Sequence, residues 1–331
     1  MRRRDFITLL TSAAAWPPAA RAQRRAPPLI GFLGMHSGGE IAPRRDAEMN
    51  RFREGLKAAG YVEGENVEID WRWADWQPAP AAAMIADLLR RQAAVIVSAG
   101  SPLPAMAAKR ATSATPIVFV FGSDPVQLEL VASLNRPGAN VTGVIYTSSN
   151  LEGKRLDLLG QLVPQTATIA YLSGDPNERG IQAQNSDMLA AAASVGKKMI
   201  VLDIRRDNDI DAAFSTLVER GAGALAIGFA NILRRNLDRI VSLAALHMIP
   251  AIYPFRDFVL GGGLISYGGR ALDAYQPAGV YVGRILNGEK PADLPVQQST
   301  LFELVINLKT AKALGIEIPR RLIAFANEVI E

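Results

Sequence analysis

Two segments that directly follow predicted strands contain residue types suited to binding a small molecule. Residues 34–39 hold His36 and Ser37 among glycines, which allow a ligand to approach the backbone closely. Gly100 and Ser101 precede a proline, so Ser101 is expected to cap a helix whose free N–H groups suit a carboxylate. The alternatives are a mobile surface loop in the first segment and a serine that only caps its own helix in the second.

A third segment of this kind contains Ser123 and Asp124 before Pro125. Asp124 is expected to be a cap, and a carboxylate in that position repels an anion and attracts an ammonium group. The second and third segments together would therefore recognise the two charged ends of an amino acid, although each cap is common by itself. Thr147 joins the candidates because it directly follows the fifth predicted strand.

Strand ends in the second half of the chain supply further candidates. Ser173 and Asp175 are polar, whereas Phe229, Tyr253 and Tyr267 are aromatic and would stack on a planar or apolar ligand. Aromatic residues at strand ends also pack in cores, which is the alternative for each of them. Their recurrence at successive strand ends favours the interpretation that some of them line a cleft.

Few features of the sequence support a catalytic function. His36 and His247 are the only histidines, and His247 ends an apolar helical pattern, where a structural role fits better. The sequence has no Gly-x-Ser-x-Gly motif, no phosphate-binding loop and no metal-ligand cluster, and the glycines at 261–263 precede a strand instead of following one. We therefore expect a protein that is not an enzyme and has no cofactor and no metal site.

Residues 1–22 are expected to form a cleavable signal peptide. Its apolar run is too short to cross a bilayer, and Ala20 and Ala22 are the small residues that a signal peptidase reads. Arg3 and Arg4 also resemble a twin-arginine export signal, although adjacent arginines are common in basic N-termini. Removal of this segment leaves 32 basic and 31 acidic residues, so the net charge falls from +4 to +1 and nucleic-acid binding is not expected.

The chain contains no cysteine. Disulfide bonds, thiolate metal sites and a lipid-acceptor cysteine are thereby excluded. The localisation that we expect is the periplasm, reached as an exported protein that is not a lipoprotein. A monomer is expected.

Alternating strand and helix patterns predict a parallel α/β architecture. In the first half, strands are predicted at 29–34, 67–73, 94–99, 117–121 and 141–146, and helices at 44–59, 79–91, 103–111 and 126–134. In the second half, strands are predicted at 168–172, 198–203, 224–229, 250–253 and 264–267, and helices at 151–162, 177–195, 210–220, 232–247 and 271–286. A strand at 302–307 and helices at 308–314 and 322–330 complete the chain.

These elements predict two doubly wound, Rossmann-like lobes. The first is expected to contain residues 29–147 plus about 270–298, and the second residues 149–267 plus about 301–331, with several crossings that form a hinge. Open α/β sheets bind ligands beyond the carboxyl ends of their strands. The polar segments of the two lobes should therefore face each other across a cleft.

Six sequence segments together resemble the bacterial ABC-transporter substrate-binding protein family that includes tryptophan-binding members. They are GLKAAGYVEGENV at 55–67, TPIVF at 115–119, GSDPV at 122–126, LNRPGANVTG at 134–143, LLGQLVP at 158–164 and ELVINLKTAKALG at 303–315. The resemblance covers essentially the whole mature chain. It implies a type I periplasmic binding protein that closes on a small solute and presents it to an inner-membrane permease with its ATPase.

The expected ligand is an amino acid or an aromatic or carboxylate compound. Arg270 stands where related proteins often have an acidic residue, so inside the cleft it would favour a carboxylate-rich ligand, and at a helix start it would be solvated. Two other functions stay open at this point. They are an exported oxidoreductase with a Rossmann-like lobe and a ligand-sensing domain of a signalling system.

Overall fold

The computed structural model describes residues 26–35, 42–146, 151–178 and 180–331, which form two α/β lobes. The strands are β1 (Leu29–Gly34), β2 (Glu68–Trp73), β3 (Val95–Ala99), β4 (Ile117–Phe121), β5 (Val141–Ile145), β6 (Thr168–Ser173), β7 (Lys198–Asp203), β8 (Ala224–Ile227), β9 (Ala251–Tyr253), β10 (Ile265–Gly269), β11 (Gln297–Gln298), β12 (Phe302–Asn307) and β13 (Glu328–Ile330).

The helices are α1 (Ala42–Ala58), α2 (Pro78–Arg90), α3 (Pro102–Ala111), α4 (Glu152–Leu162), α5 (Ile181–Ser194), α6 (Asp209–Glu219), α7 (Asn231–Arg235), α8 (Leu237–Leu246), α9 (Arg256–Leu260), α10 (Tyr275–Leu286), α11 (Leu308–Ala313) and α12 (Arg320–Phe325). Short 3-10 turns lie at Ala271–Ala274 and Pro291–Asp293. The predicted signal peptide lies outside the residues that the structure describes.

Each lobe is built around one sheet. In the described residues, the first lobe has the strand order β11-β5-β4-β3-β1-β2, and the second has β13-β12-β10-β9-β8-β6-β7. All pairs in the first sheet are parallel, whereas β12 is antiparallel to β10 in the second. Strands β3, β4 and β5 are buried along their whole length, as expected for a parallel sheet covered on both faces.

The first lobe is completed by a segment that follows most of the second lobe in sequence. Helix α10 packs on α1 at a close crossing, where a Cβ on Gly55 would overlap the carbonyl oxygen of Gln276. A Cβ on Gly279 would likewise overlap the carbonyl oxygen of Phe52. Glycine at both positions therefore allows the two helix backbones to touch.

The chain passes between the lobes between β5 and α4, between β10 and α10, and between β11 and β12. The second and third passages are joined, because the N–H of Arg270 donates to the carbonyl oxygen of Leu301 at 3.0 Å. The Arg270 side chain is 47% exposed and its Nε lies 3.1 Å from Asp273 Oδ2. Arg270 is thus a residue of the hinge.

The helix predicted at 177–195 begins at Ile181, and the first turn of the one predicted at 271–286 is a 3-10 turn. Three other predicted helices differ more from the structure. Residues 126–134 form turns and bends, and the helix predicted at 232–247 is divided at Asn236 into α7 and α8. The Asn236 side chain donates to the Ile232 carbonyl oxygen at 2.8 Å and so occupies an acceptor of the helical ladder. The helix predicted at 322–330 ends at Phe325, after which β13 pairs with β12.

Candidate ligand-binding site

A cavity of about 200 Å³ lies between the carboxyl ends of the strands of the two lobes. The first lobe lines it with Gly100, Pro102, Phe121, Gly122, Ser123, Asp124, Gln127, Leu128, Leu134, Ile145 and Gln298. The second lobe lines it with Glu152, Arg155, Glu178, Gly180, Ile181, Ala183, Gln184, Asp187, Phe229, Ala230, Asn231, Arg234 and Phe255. Sites for drug-sized ligands commonly measure about 300–1,000 Å³, so this volume suits a smaller solute.

Arg155 is a deeply buried cation in the wall of this cavity, with 2% of its side chain exposed. It lies on α4, directly after the first passage between the lobes. Its Nη2 donates to Glu152 Oε1 at 2.7 Å, and its Nη1 donates to the Tyr267 carbonyl oxygen at 3.4 Å. Its Nε is buried and has no hydrogen-bond partner in the described part of the chain. A guanidinium with an unused N–H group is suited to a carboxylate.

Arg234 is the second cation of the wall. Its Nη2 lies 3.0 Å from Asp257 Oδ2, and both side chains are buried. The guanidinium carbon lies 4.0 Å from the centroid of the Phe255 ring, which in turn lies 4.6 Å from the ring of Phe229. These residues form an aromatic and cationic corner of the second lobe. It offers a surface on which a flat ligand would stack.

The loop after β4 brings Asp124 to the opposite side of the cleft. Oδ1 of Asp124 accepts hydrogen bonds from the N–H groups of Val126 at 2.7 Å and Gln127 at 3.3 Å. The helix predicted after this cap is absent because Glu129 has a φ of +55° and the Leu130 N–H donates to the Pro125 carbonyl oxygen at 2.8 Å, which ends the helical turn. Oδ2 of Asp124 takes no part in either of the Oδ1 bonds, and a carboxylate has lone pairs for further donors.

The second lobe adds carboxylates from α5 and the loop that precedes it. Burial, together with the nearby negative charge of Asp175, raises the pKa of Glu178 above its ordinary value, and Arg235 partly opposes this shift. Asp187 lies on the α5 face that lines the cavity. Gln184 holds the wall in place, since its amide group exchanges hydrogen bonds of 3.2 and 3.4 Å with the backbone of Phe229.

Carboxylates outnumber arginines in the wall. Asp124, Glu152, Glu178 and Asp187 line the cavity, whereas Arg155 and Arg234 are its cations and each is already ion-paired. This excess of negative charge favours a ligand that carries a positively charged group such as an ammonium.

Four of the residues predicted from strand ends line the cavity: Gly100, Ser123, Asp124 and Phe229. Gly100 has a φ of +84°, a left-handed conformation that favours glycine. The predicted contacts His36, Ser37 and Thr147 lie outside the described residues.

Three other polar candidates have structural partners instead of facing the cavity. Ser101 is buried, and its Oγ accepts a hydrogen bond from the Leu103 N–H at 3.2 Å as the cap of α3. The buried Ser173 hydroxyl donates to Asn185 Oδ1 at 2.6 Å. Asp175 Oδ1 accepts from the Asn177 N–H at 2.9 Å in a turn after β6.

The two tyrosines and Arg270 also lie away from the cavity lining. Tyr253 is 1% exposed and stacks on Phe258 at 4.8 Å in the core, where burial raises the pKa of its hydroxyl. Tyr267 packs 6.1 Å from Phe302 and contributes its carbonyl oxygen to Arg155. Arg270 is neutralised by its neighbour in the hinge, as described above.

Sequence reasoning missed the arginines of the wall because it examined strand ends. Arg155 and Arg234 are carried by helices. Arg155 nevertheless left a signal, because it shares the apolar face of its helical pattern with Leu151, Leu159 and Leu162, all of which are buried. A charged residue on such a face predicts a buried, paired group.

Over residues 26–35, 42–146, 151–178 and 180–331, no group of three or more histidine, aspartate or glutamate side chains is arranged to hold a metal ion. None of the helices found there combines the length and the apolar character needed to cross a bilayer.

This chain is similar to known proteins both in sequence and in structure. The sequence pattern of the ABC transporter substrate binding protein family matches residues 42–330. A tyrosine-binding protein from Clostridioides difficile (strain R20291) is 28% identical over 276 residues, which are 83% of this chain and 78% of that protein.

Two solved structures share the whole architecture. The ABC domain from Streptococcus pneumonia in complex with L-Trp has a TM-score of 0.82 at 26% identity, over 92% of this chain and 100% of that chain. A ligand-free, open substrate-binding protein with adhesive properties from Clostridium difficile has a TM-score of 0.68, also at 26% identity, over 92% and 99%. The fold is that of the type I periplasmic binding proteins. Since the family pattern covers most of its length, this chain belongs to the ABC transporter substrate-binding protein family.

Proposed function

We propose that this chain is the exported receptor of an ABC importer and that it captures an aromatic amino acid between its lobes. The observation that carries the proposal is one cavity, shared by both lobes, that combines Arg155, several carboxylates and an aromatic wall. The receptor would then present its ligand to an inner-membrane permease and its ATPase. The relatives that bind tyrosine and L-Trp support the choice of an aromatic amino acid.

The proposed contacts use the geometry of the wall. Arg155, with its unused Nε–H, binds the ligand carboxylate. Oδ2 of Asp124 accepts from the ammonium group, and Phe229 packs on the ring. Micromolar affinity corresponds to about −8 kcal/mol, which a few charge-assisted hydrogen bonds and one stacked ring supply after the cost of association.

The arrangement of the lobes is consistent with capture by closure. At equal sequence identity, the structure is more similar to the L-Trp complex, with a TM-score of 0.82, than to the ligand-free, open relative, with 0.68. This difference in TM-score supports the interpretation that the two lobes of this chain are in a closed arrangement. A ligand would enter the open cleft and be enclosed when the lobes approach.

The test is a thermal-shift and calorimetry panel on the mature chain. It compares L-Trp, L-Tyr and L-Phe with tryptamine and tyramine, which lack the carboxylate, and with indole-3-propionate and phenylpropionate, which lack the ammonium group. The amino acids should stabilise the protein most, because only they satisfy both ends of the cavity. Failure of every member of the panel, together with stabilisation by a nicotinamide or flavin nucleotide, would reject the receptor in favour of a cofactor enzyme.

Export is tested separately. Mass spectrometry of the periplasmic fraction should find a mature N-terminus at Gln23, after removal of residues 1–22. Substitution of Arg3→Lys with Arg4→Lys should block export if the twin-arginine route is used and leave it unchanged if the general secretory route is used. A mature chain that retains residues 1–22 would contradict the signal peptide.

A further inference from the structure

Trp76 of the first lobe contacts Arg234 of the second lobe. The guanidinium carbon of Arg234 lies 5.2 Å from the centroid of the Trp76 ring, within the range of a cation–π interaction. Trp76 is 6% exposed and belongs to the apolar core of its own lobe, together with Met35 and Ile85. The contact is therefore made by a side chain that is firmly held in the first lobe.

Arg234 is held with similar firmness in the second lobe. Its ion pair with Asp257 is buried, and its guanidinium lies 4.0 Å from the Phe255 ring. Arg234 and Phe255 also line the ligand cavity, whereas Trp76 does not. Arg234 is thus at once part of the wall around the ligand and part of a contact between the lobes.

The backbone that presents Trp76 is unusual. Asp75 and Trp76 have φ values of +50° and +57°, and they are the only adjacent non-glycine residues in the left-handed region within the described part of the chain. This conformation costs free energy, and such residues cluster at ligand clamps and switches. The loop is fixed by a hydrogen bond of 2.7 Å from the Trp76 N–H to the Met35 carbonyl oxygen.

We propose that the Trp76–Arg234 contact is a latch, which forms when the lobes close and sets how long the closed state lasts. The proposal rests on the receptor function and adds two positioning residues to it. Because the two side chains belong to different lobes, opening of the cleft must separate them. The apparent affinity for a ligand is proportional to the population of the competent closed state, so loss of the latch should weaken binding. At Trp76, which does not line the cavity, it should do so without removing a ligand contact.

Two conservative variants test the latch. Trp76→Leu keeps an apolar side chain in the core and removes the aromatic ring, and Arg234→Lys keeps the charge beside Asp257 and removes the planar guanidinium. Arg53→Lys is the matched control, because Arg53 lies 4.9 Å from the ring of Trp71 within a single lobe. Melting temperatures identify any variant that fails to fold.

Single-molecule energy transfer measures closure directly. The chain has no cysteine, so Glu65→Cys and Glu219→Cys place one dye on each lobe at exposed positions. In the absence of ligand, each latch variant should shorten the dwell time of the closed state about 3- to 10-fold, and the double variant should shorten it no further than the stronger single variant. The Arg53→Lys control should stay within about twofold of the wild type.

The latch is overturned if the closed dwell time of both variants matches that of the control, if their effects simply add, or if the unliganded wild type never closes. These outcomes are separate from failure of the receptor function, in which no member of the thermal-shift panel stabilises the protein and a nicotinamide or flavin nucleotide does. For a ligand found there, the dissociation rate measured by stopped flow should rise about 3- to 10-fold in Trp76→Leu, which leaves the cavity lining unchanged. An unchanged dissociation rate in Trp76→Leu would also overturn the latch.

Discussion

Nη2 of Arg155 lies 2.7 Å from Oε1 of Glu152, one turn earlier on α4, and the two side chains form a buried ion pair in the wall of the ligand cavity. Removal of Arg155 alone would leave a buried carboxylate without its partner. The double variant Arg155→Gln with Glu152→Gln avoids this and still removes the cation. We expect its affinity for aromatic amino acids to fall about 10- to 100-fold, the value of a charge-assisted hydrogen bond, as measured by calorimetry.

The single variant Glu152→Gln is the control for this prediction. It leaves the Arg155 charge in place and should retain or increase the affinity for the carboxylate. If the double variant binds as tightly as the wild type, Arg155 has a structural role and the carboxylate is recognised elsewhere.

Asp124→Asn separates the two roles of this side chain, which are to cap the turn after β4 and to bind the ammonium group of the ligand. The asparagine oxygen can still accept from the N–H groups of Val126 and Gln127, so the turn and the melting temperature should change little. The negative charge is lost, and the affinity for an amino acid should fall about 10-fold or more, whereas that for its desamino acid should be unchanged or higher. Equal losses for both ligands would indicate that Asp124 only shapes the loop.

Phe229→Leu tests the aromatic wall with a side chain that retains most of the apolar volume. Aromatic pairs contribute about 0.5–1.5 kcal/mol beyond area burial, which corresponds to about a 2- to 12-fold loss for L-Trp or L-Tyr. The affinity for leucine, where it is measurable, should change less than twofold in Phe229→Leu. A similar loss for aliphatic and aromatic ligands would show that the ring of Phe229 does not stack on the ligand.

The raised pKa of Glu178 predicts a pH dependence of binding. An ammonium-bearing ligand favours the ionised carboxylate, so affinity should increase as the pH rises from the ordinary glutamate range through the raised pKa. In the ligand-free protein, the folded state binds this proton more tightly than the unfolded state, and stability should decrease slightly over the same pH range. Calorimetry at several pH values checks this prediction, and the slope should disappear in Glu178→Gln.

Gly55→Ala is expected to destabilise the first lobe. The new Cβ would overlap the carbonyl oxygen of Gln276, so α1 and α10 would have to separate, and the free energy of unfolding should fall by about 1–3 kcal/mol or more. Gly160→Ala on α4 is the control, because nothing lies within 4 Å of the added Cβ and alanine favours a helix by about 1 kcal/mol. Denaturant unfolding should show opposite signs for the two variants.

The strands were predictable because parallel sheets that are covered on both faces read as short apolar runs. Strands β1 and β4, which are parallel and almost fully buried, begin and end where the sequence predicts them. Segments whose backbone course departs from their apolar pattern were not predictable. Residues 126–134 are apolar enough for a helix, but Glu129 has a φ of +55° and the Leu130 N–H donates to the Pro125 carbonyl oxygen, so the backbone continues as turns. Strand β13 forms only because β12 offers it an edge.

The candidate site could be predicted in part, since the carboxyl ends of parallel strands converge. That rule locates Gly100, Ser123, Asp124 and Phe229 at the cavity. It does not show which way a strand-end side chain points, and Tyr253 is directed into the core against Phe258. Side chains that reach the cleft from helix faces depend on packing between elements that are distant in sequence.

The close crossing of α1 and α10 has a consequence for how the protein is made. On a translating ribosome, β1 to β5 emerge long before Tyr275–Leu286, the helix that covers one face of their sheet. During this interval the part of the first sheet that α10 covers, and the face of α1 that carries Gly55, lack their native partner. A fragment that stops at residue 146 should therefore fail to fold by itself, and the N-terminal lobe reaches its native state only after nearly the entire polypeptide has been synthesised.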